Sequence, residues 1–129
     1  DDALRTFIKP KKYHVYDLGE EWRLLTAKKM VYAVWAVRRA YARQHPEAVK
    51  AVYHAFVQSM EHSLQQAATI ARDVSQWSPF SARFLKNYFT GLRFEFGPDY
   101  QDGCLEFLRR AQALGAITAV PKLEFADVG

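Results

Sequence analysis

Apolar residues fall along this chain in two kinds of pattern. The first is an unbroken run from Met30 to Val37, MVYAVWAV, rich in β-branched and aromatic residues. Its shortness and its lack of polar alternation predict a strand covered on both faces, as in a parallel or mixed α/β sheet. The second is spacing by three and four. Val49, Val52, Tyr53, Phe56, Met60, Leu64, Ala67, Ala68, Ala71 and Val74 predict about seven helical turns opened by Pro46. These form one helix, or two with a break near His62-Ser63. Phe80, Phe84, Leu85, Tyr88 and Phe89 set an aromatic face on a helix begun by Ser78-Pro79 and closed by Gly91 as a left-handed cap. Leu105, Leu108, Ala111 and Leu114 point inward from a helix over Asp99 to Leu114, which Gly115 ends.

The stretch before the apolar run carries its own start signal. Asp17 is placed to accept from the backbone N–H near Glu20, and Glu20 to reach back to the Asp17 N–H, as in a capping box. Glu20 and Glu21 then occupy a first turn, where the helix dipole favours acids. Trp22 and Leu25 give that short helix an apolar side, and Lys28-Lys29 interrupt it. Upstream, Asp1 to Ile8 predicts one or two helical turns ended by Pro10, and Tyr13 to Tyr16 a short strand. Arg38 to His45 reads as part helix or connector, Leu92 to Phe96 as strand or extended connector, and Ile117 to Val128 as an extended tail. Few strands early and helices late is an unbalanced α/β pattern, since a pair of strands needs more sheet or more covering. It predicts that a preceding part of the protein supplies the rest of the sheet, and a start without Met agrees.

Composition narrows the class. The 129 residues, half of them hydrophobic, fit one globular domain. No apolar run approaches the ~20 residues needed to span a bilayer, and DDALRTFIKPKK is not a signal peptide. The net charge of +4 gives a mild attraction for anions, but basic residues come as scattered pairs and triplets, which argues against nucleic acid as partner. The lone Cys104 excludes an internal disulfide and agrees with a reducing, cytoplasmic setting. His54 and His62 lie eight apart, too far along a helix to share a metal. There is no Gly-rich phosphate loop and no G-x-S-x-G elbow. The Glu20-Glu21 pair is explained by capping. Tyr32 and Trp35 either line a pocket at the carboxyl end of the apolar strand or pack plainly. Asp1 and Asp2 either cap the first turn or place a carboxylate in a cleft.

Tyr16 to Arg38, YDLGEEWRLLTAKKMVYAVWAVR, resembles the C-terminal half of the chorismate dehydratase family of the futalosine route to menaquinone. That family has an Asp-Leu start, then E-x-W, then Thr-Gly-Leu-Pro, then an apolar stretch ending in Ala-x-Trp. Asp17-Leu18, Glu20-Glu21-Trp22, Thr26 and Val31 to Trp35 match. Ala27-Lys28-Lys29 departs, standing where the family has Gly-Leu-Pro. Asp1-Asp2-Ala3-Leu4 is similar to the family's Gly-Asp-x-Ala-Leu segment without its glycine. The sister 1,4-dihydroxy-6-naphthoate synthase shares the Asp-Leu-Gly start, but has Pro-Leu-Gly-Gly and His-Glu-Gly segments where this chain has Val-Tyr-Ala-Val-Trp and Asp-Asp-Ala.

The resemblance implies an α/β chain, the helix-rich C-terminal part of a two-lobed type II periplasmic-binding-protein-like fold. Residues 1–38 would belong to the second lobe with its crossing strand, and 39–129 would form a helical region packing back on the first. It implies a cytoplasmic lyase that converts chorismate to 3-[(1-carboxyvinyl)oxy]benzoate without metal or organic cofactor, the small-molecule substrate being its partner, with no nucleic acid and no membrane. Asp1 would be the catalytic cleft residue, with Asp2 in that role if the register moves by one. Asp2, Tyr32 and Trp35 would contact substrate. The rival readings are a small-anion binding module of the same fold, the sister synthase, and a helical interaction protein using the Phe80 to Phe89 face. Half a sheet left uncovered predicts that the 129-residue chain alone dimerises or aggregates in light scattering; a stable monomer would contradict the missing-half expectation.

Overall fold

The structure, a computed structural model, describes residues 14–129. The helical turns expected over Asp1 to Ile8, and the first residue of the short strand expected at Tyr13, lie outside them. The described residues form helices α1 (Leu18–Thr26), α2 (Arg39–Gln44), α3 (Pro46–Gln65), α4 (Ala67–Ser75), α5 (Ala82–Gly91) and α6 (Pro98–Ala113). The chain divides into two units. One joins the described residues up to Trp35 with Glu95–Glu124, and the other takes Ala36–Phe94 with Phe125–Gly129.

In the first unit, α1 begins as its sequence signal requires. Asp17 is extended, and its Oδ1 accepts from the Gly19 N–H at 2.8 Å and the Glu20 N–H at 3.1 Å. These are two of the donors a helix start leaves without intrahelical partners. The return bond from Glu20 is not made, and Glu20 is exposed. At the far end Ala27 takes the left-handed conformation (φ 56°), and its N–H reaches the Arg23 carbonyl at 2.8 Å. Thr26 reinforces the turn: its hydroxyl donates to the Trp22 carbonyl at 2.7 Å and accepts from the Lys28 N–H at 3.2 Å. Trp22 is buried, whereas Leu25, expected on the same apolar side, is exposed.

Helix α6 starts at Gly97 with Pro98 in its first turn and Asp99 behind it. It ends in a Schellman motif. Gly115 is left-handed (φ 74°), its N–H bonds to the Gln112 carbonyl, and the Ala116 N–H reaches back to Ala111, both at 2.9 Å. Gly115 therefore ends the helix as its position predicts. Leu105, Leu108 and Ala111 are half-buried as expected, but Leu114 is exposed, because the cap turns it off the inward stripe.

In the second unit the long helical signal divides, but at Gln66 (φ −102°, ψ 12°) rather than near His62-Ser63. The helix after it starts at Ser81, not Ser78. The Ser81 hydroxyl accepts from the Phe84 N–H at 3.2 Å, while Ser78 caps only the local turn through the Phe80 N–H at 3.3 Å. Gly91 is the last helical residue and is not left-handed; Leu92 (φ −64°, ψ 143°) leads the chain out extended. Helices α4 and α5 pack together. Ala67 and Ala71, one turn apart on α4, are buried, as is Leu85 on α5; small side chains on one helix leave room for larger ones on its neighbour. The rings of Phe80, Phe84 and Tyr88 stack in series, at 5.1 and 6.5 Å between centroids.

Met30 to Val37 does not form the expected strand. It has no regular secondary structure, and no strand occurs among the described residues. A strand exists through ladder bonds to a neighbour, and none is present there. The helix-rich character expected for the chain is what the described residues show.

The left-handed Ala27 is the one non-glycine residue with positive φ among the described residues. A Cβ in that conformation costs roughly 1–2 kcal/mol, so Ala27→Gly is expected to raise unfolding free energy by about 1 kcal/mol after the greater unfolded-state entropy of glycine is subtracted. A urea titration reads this as a higher midpoint at unchanged slope; a lower midpoint would contradict the assigned turn.

Candidate functional site

The residues with candidate chemistry lie in and beside the turn that follows α1. Trp22 is the anchor. Its indole Nε1–H donates to the Lys29 carbonyl at 3.2 Å. Its ring meets Phe107 of α6 at 5.8 Å between centroids, tilted by 60°. The Arg110 guanidinium lies 5.8 Å from the Trp22 ring and is held by Glu106 at 2.9 Å. Indole, guanidinium and carboxylate form a chain in which each member orients the next.

The lysine pair that interrupts the apolar pattern is tied down on α6. Lys28 pairs with Asp102. Lys29 pairs with Asp99 at 3.4 Å, its ammonium standing 4.5 Å from the centre of the Tyr100 ring. Each ammonium has a carboxylate, so this pair is a brace and not an open anion receptor. Both pairs are partly solvated, and each is worth about 0–1 kcal/mol. The closer constraint is backbone against backbone. Gly103, buried on α6, faces Lys29 so tightly that a Cβ would run into the Lys29 carbonyl oxygen and stand 3.0 Å from its carbon.

Of the residues expected to contact substrate, Asp1 and Asp2 lie outside the described residues. Tyr32 is exposed, and its hydroxyl rests against Gly19 at the start of α1, where a Cβ would collide with it. Trp35 is 84% exposed. Tyr32 thus places its phenol beside the capped N-terminus of α1. The sequence assigns no functional role to Gly103, Asp99, Asp102 or Phe107, although the region from Gly103 to Phe107 resembles the last quarter of the dehydratase family. A signal existed: Asp99, Asp102 and Glu106 recur at three and four on one helix, which puts a row of carboxylates on one face. What faces it was not readable.

Elsewhere the chemistry is sparse. An open depression of about 200 Å³ in the second unit is lined by Ala42, Arg43, Pro46, Val49, Ala126 and Asp127 and holds none of the expected site residues. Among the described residues no group of three or more His, Cys, Asp or Glu side chains stands ready for a metal ion, and no helix is long and apolar enough to cross a membrane. Cys104, next to Gly103, has its thiol pushed up from the usual range by burial. For an acid raised in the fold, the favoured form is the neutral thiol. Its contribution to stability is complete below the ordinary thiol range and is lost as pH climbs through and above it. Alkylation with iodoacetamide is therefore expected to be slower than that of a free cysteine at neutral pH, and to accelerate only at higher pH than the free thiol does. A rate equal to that of free cysteine would contradict this placement.

Comparison with known protein families matches residues 1–113 to the family described as menaquinone biosynthesis.

Proposed function

The chain belongs to the menaquinone biosynthesis family, and on that footing we propose that it is the C-terminal half of a chorismate dehydratase, a carbon–oxygen lyase producing 3-[(1-carboxyvinyl)oxy]benzoate. The observation that carries this reading is what the motif residues do. Asp17 caps α1, Trp22 anchors it on α6, and Thr26 closes its last turn on the Trp22 carbonyl. The positions similar to the dehydratase pattern are the ones that build the joint ahead of Tyr32 and Trp35. A binding module of the same fold would need that joint as well, so turnover decides between the two.

The reaction breaks a ring C–H bond and the neighbouring ring C–O bond. The C–H electron pair enters the ring, which becomes aromatic, and the proton and hydroxide leave as water. Such an elimination needs a base at the C–H, donors toward the developing negative charge, and a proton for the departing hydroxyl. In this proposal Asp1 orients or protonates the leaving hydroxyl, with Asp2 beside the substrate. The Tyr32 hydroxyl donates to a substrate oxygen, and Trp35 covers the flat ring. The mild positive charge of the chain assists capture of an anionic substrate. The cleft would lie between two α/β lobes of the periplasmic-binding-protein type, in a cytoplasmic enzyme, with no metal or organic cofactor taking part.

Incubation of the full-length protein with chorismate, followed by mass spectrometry, is expected to show loss of one water and formation of the carboxyvinyloxybenzoate. Asp1→Asn is expected to slow this by about a hundredfold or more. Chorismate that binds but keeps its hydroxyl would overturn the lyase reading and leave the binding module.

A further inference from the structure

We infer that Gly103 and Trp22 are positioning residues for the segment carrying Tyr32 and Trp35, acting together on the Lys29 carbonyl where that segment begins. The inference rests on the reading above that Tyr32 and Trp35 contact substrate.

Several independent contacts converge on this one peptide group. Gly103 leaves no room between α6 and the Lys29 backbone: a Cβ there would strike the Lys29 carbonyl oxygen and stand 3.0 Å from its carbon and 3.5 Å from its nitrogen. An obstructing backbone cannot rotate aside as a side-chain tip can, so any larger residue displaces the segment. The same carbonyl oxygen accepts from the Trp22 indole at 3.2 Å, and Phe107 and Arg110 fix the direction of that indole. The side chains of Lys28 and Lys29 add lateral ties to Asp102 and Asp99.

Tyr32 follows three residues later, within about 10 Å of chain at full extension. Its hydroxyl meets Gly19 at the start of α1. The segment from Lys29 to Tyr32 is thus held at both ends, by α6 and by α1, and a shift at Lys29 is carried to Tyr32 with little slack.

The kinetic consequence differs from that of a general stability loss. A binding group held off register weakens the bound substrate and its transition state alike, which raises KM and spares kcat. A loss of folded protein lowers apparent kcat and leaves KM alone.

The test uses the full-length protein with Trp22→Phe, Gly103→Ala and Tyr32→Phe. Trp22→Phe keeps an aromatic ring on Phe107 and removes the N–H donor, so it carries the comparison if Gly103→Ala does not fold. Trp22→Phe and Gly103→Ala are each expected to raise KM for chorismate about tenfold, with kcat within about twofold of the parent, and to weaken the NMR nuclear Overhauser contact between the Tyr32 ring and Gly19. Trp22→Phe combined with Tyr32→Phe is expected to cost less than the sum of the two, since both act through one contact. Unchanged KM in the folded variants, or an unchanged contact between the Tyr32 ring and Gly19, would overturn the inference. If the parent protein leaves chorismate intact, the dehydratase reading fails on its own. The Tyr32–Gly19 contact then decides the positioning: its weakening in Trp22→Phe upholds it, and no change overturns it.

Discussion

The Lys29 carbonyl, pressed on Gly103 and bonded to the Trp22 indole, is the constraint on which the first unit depends. Magnitudes rank its parts. The exposed lysine–aspartate pairs are worth about 0–1 kcal/mol each, and the indole hydrogen bond about 1 kcal/mol. Truncating a buried Trp typically costs about 3–5 kcal/mol. Trp22, nearly buried between Phe107 and the Arg110–Glu106 pair, is therefore the main fastener, and the ions set its orientation. Gly103 adds no attraction of its own. It permits the approach that makes the other contacts possible.

The residues of this joint act at both ends of α1. Asp17 caps the start of α1, while Trp22 and Thr26 serve the turn at its far end. The Ala27-Lys28-Lys29 departure is accommodated in two ways. Ala27 accepts a left-handed conformation that glycine would take more cheaply, and the lysines gain carboxylate partners on α6 that a Leu-Pro pair would have no use for. The turn is fastened through lysine–carboxylate pairs to α6 at the place where the sequence departs from the pattern it resembles.

Local signals were legible from sequence where the physics is local. The Asp17 cap, the Gly115 stop and the helical stripes of α3 to α6 depend on neighbours within a few residues. Boundaries moved where two local signals competed, as Ser78 and Ser81 did for the start of α5. Burial and pairing were not legible. Nothing in the spacing distinguishes Trp22, which is buried, from Leu25, which is exposed, because the difference lies in α6, distant in sequence. Met30 to Val37 has the composition of a strand, but a strand is a relation between two segments, and the described residues hold no second one. The close approach of Gly103 to the Lys29 backbone is likewise absent from the spacing, because the two are distant in sequence.

Hydrogen exchange of the indole protons, followed by NMR, tests the central joint most directly, because it reads the Trp22 hydrogen bond itself. Trp77 is 78% exposed and serves as the internal reference. The Trp22 indole proton should exchange far more slowly than that of Trp77, since the bond to Lys29 must open before water can reach it. Equal rates for the two would mean that the Trp22–Lys29 bond does not hold the turn, and the role assigned to Gly103 would fall with it.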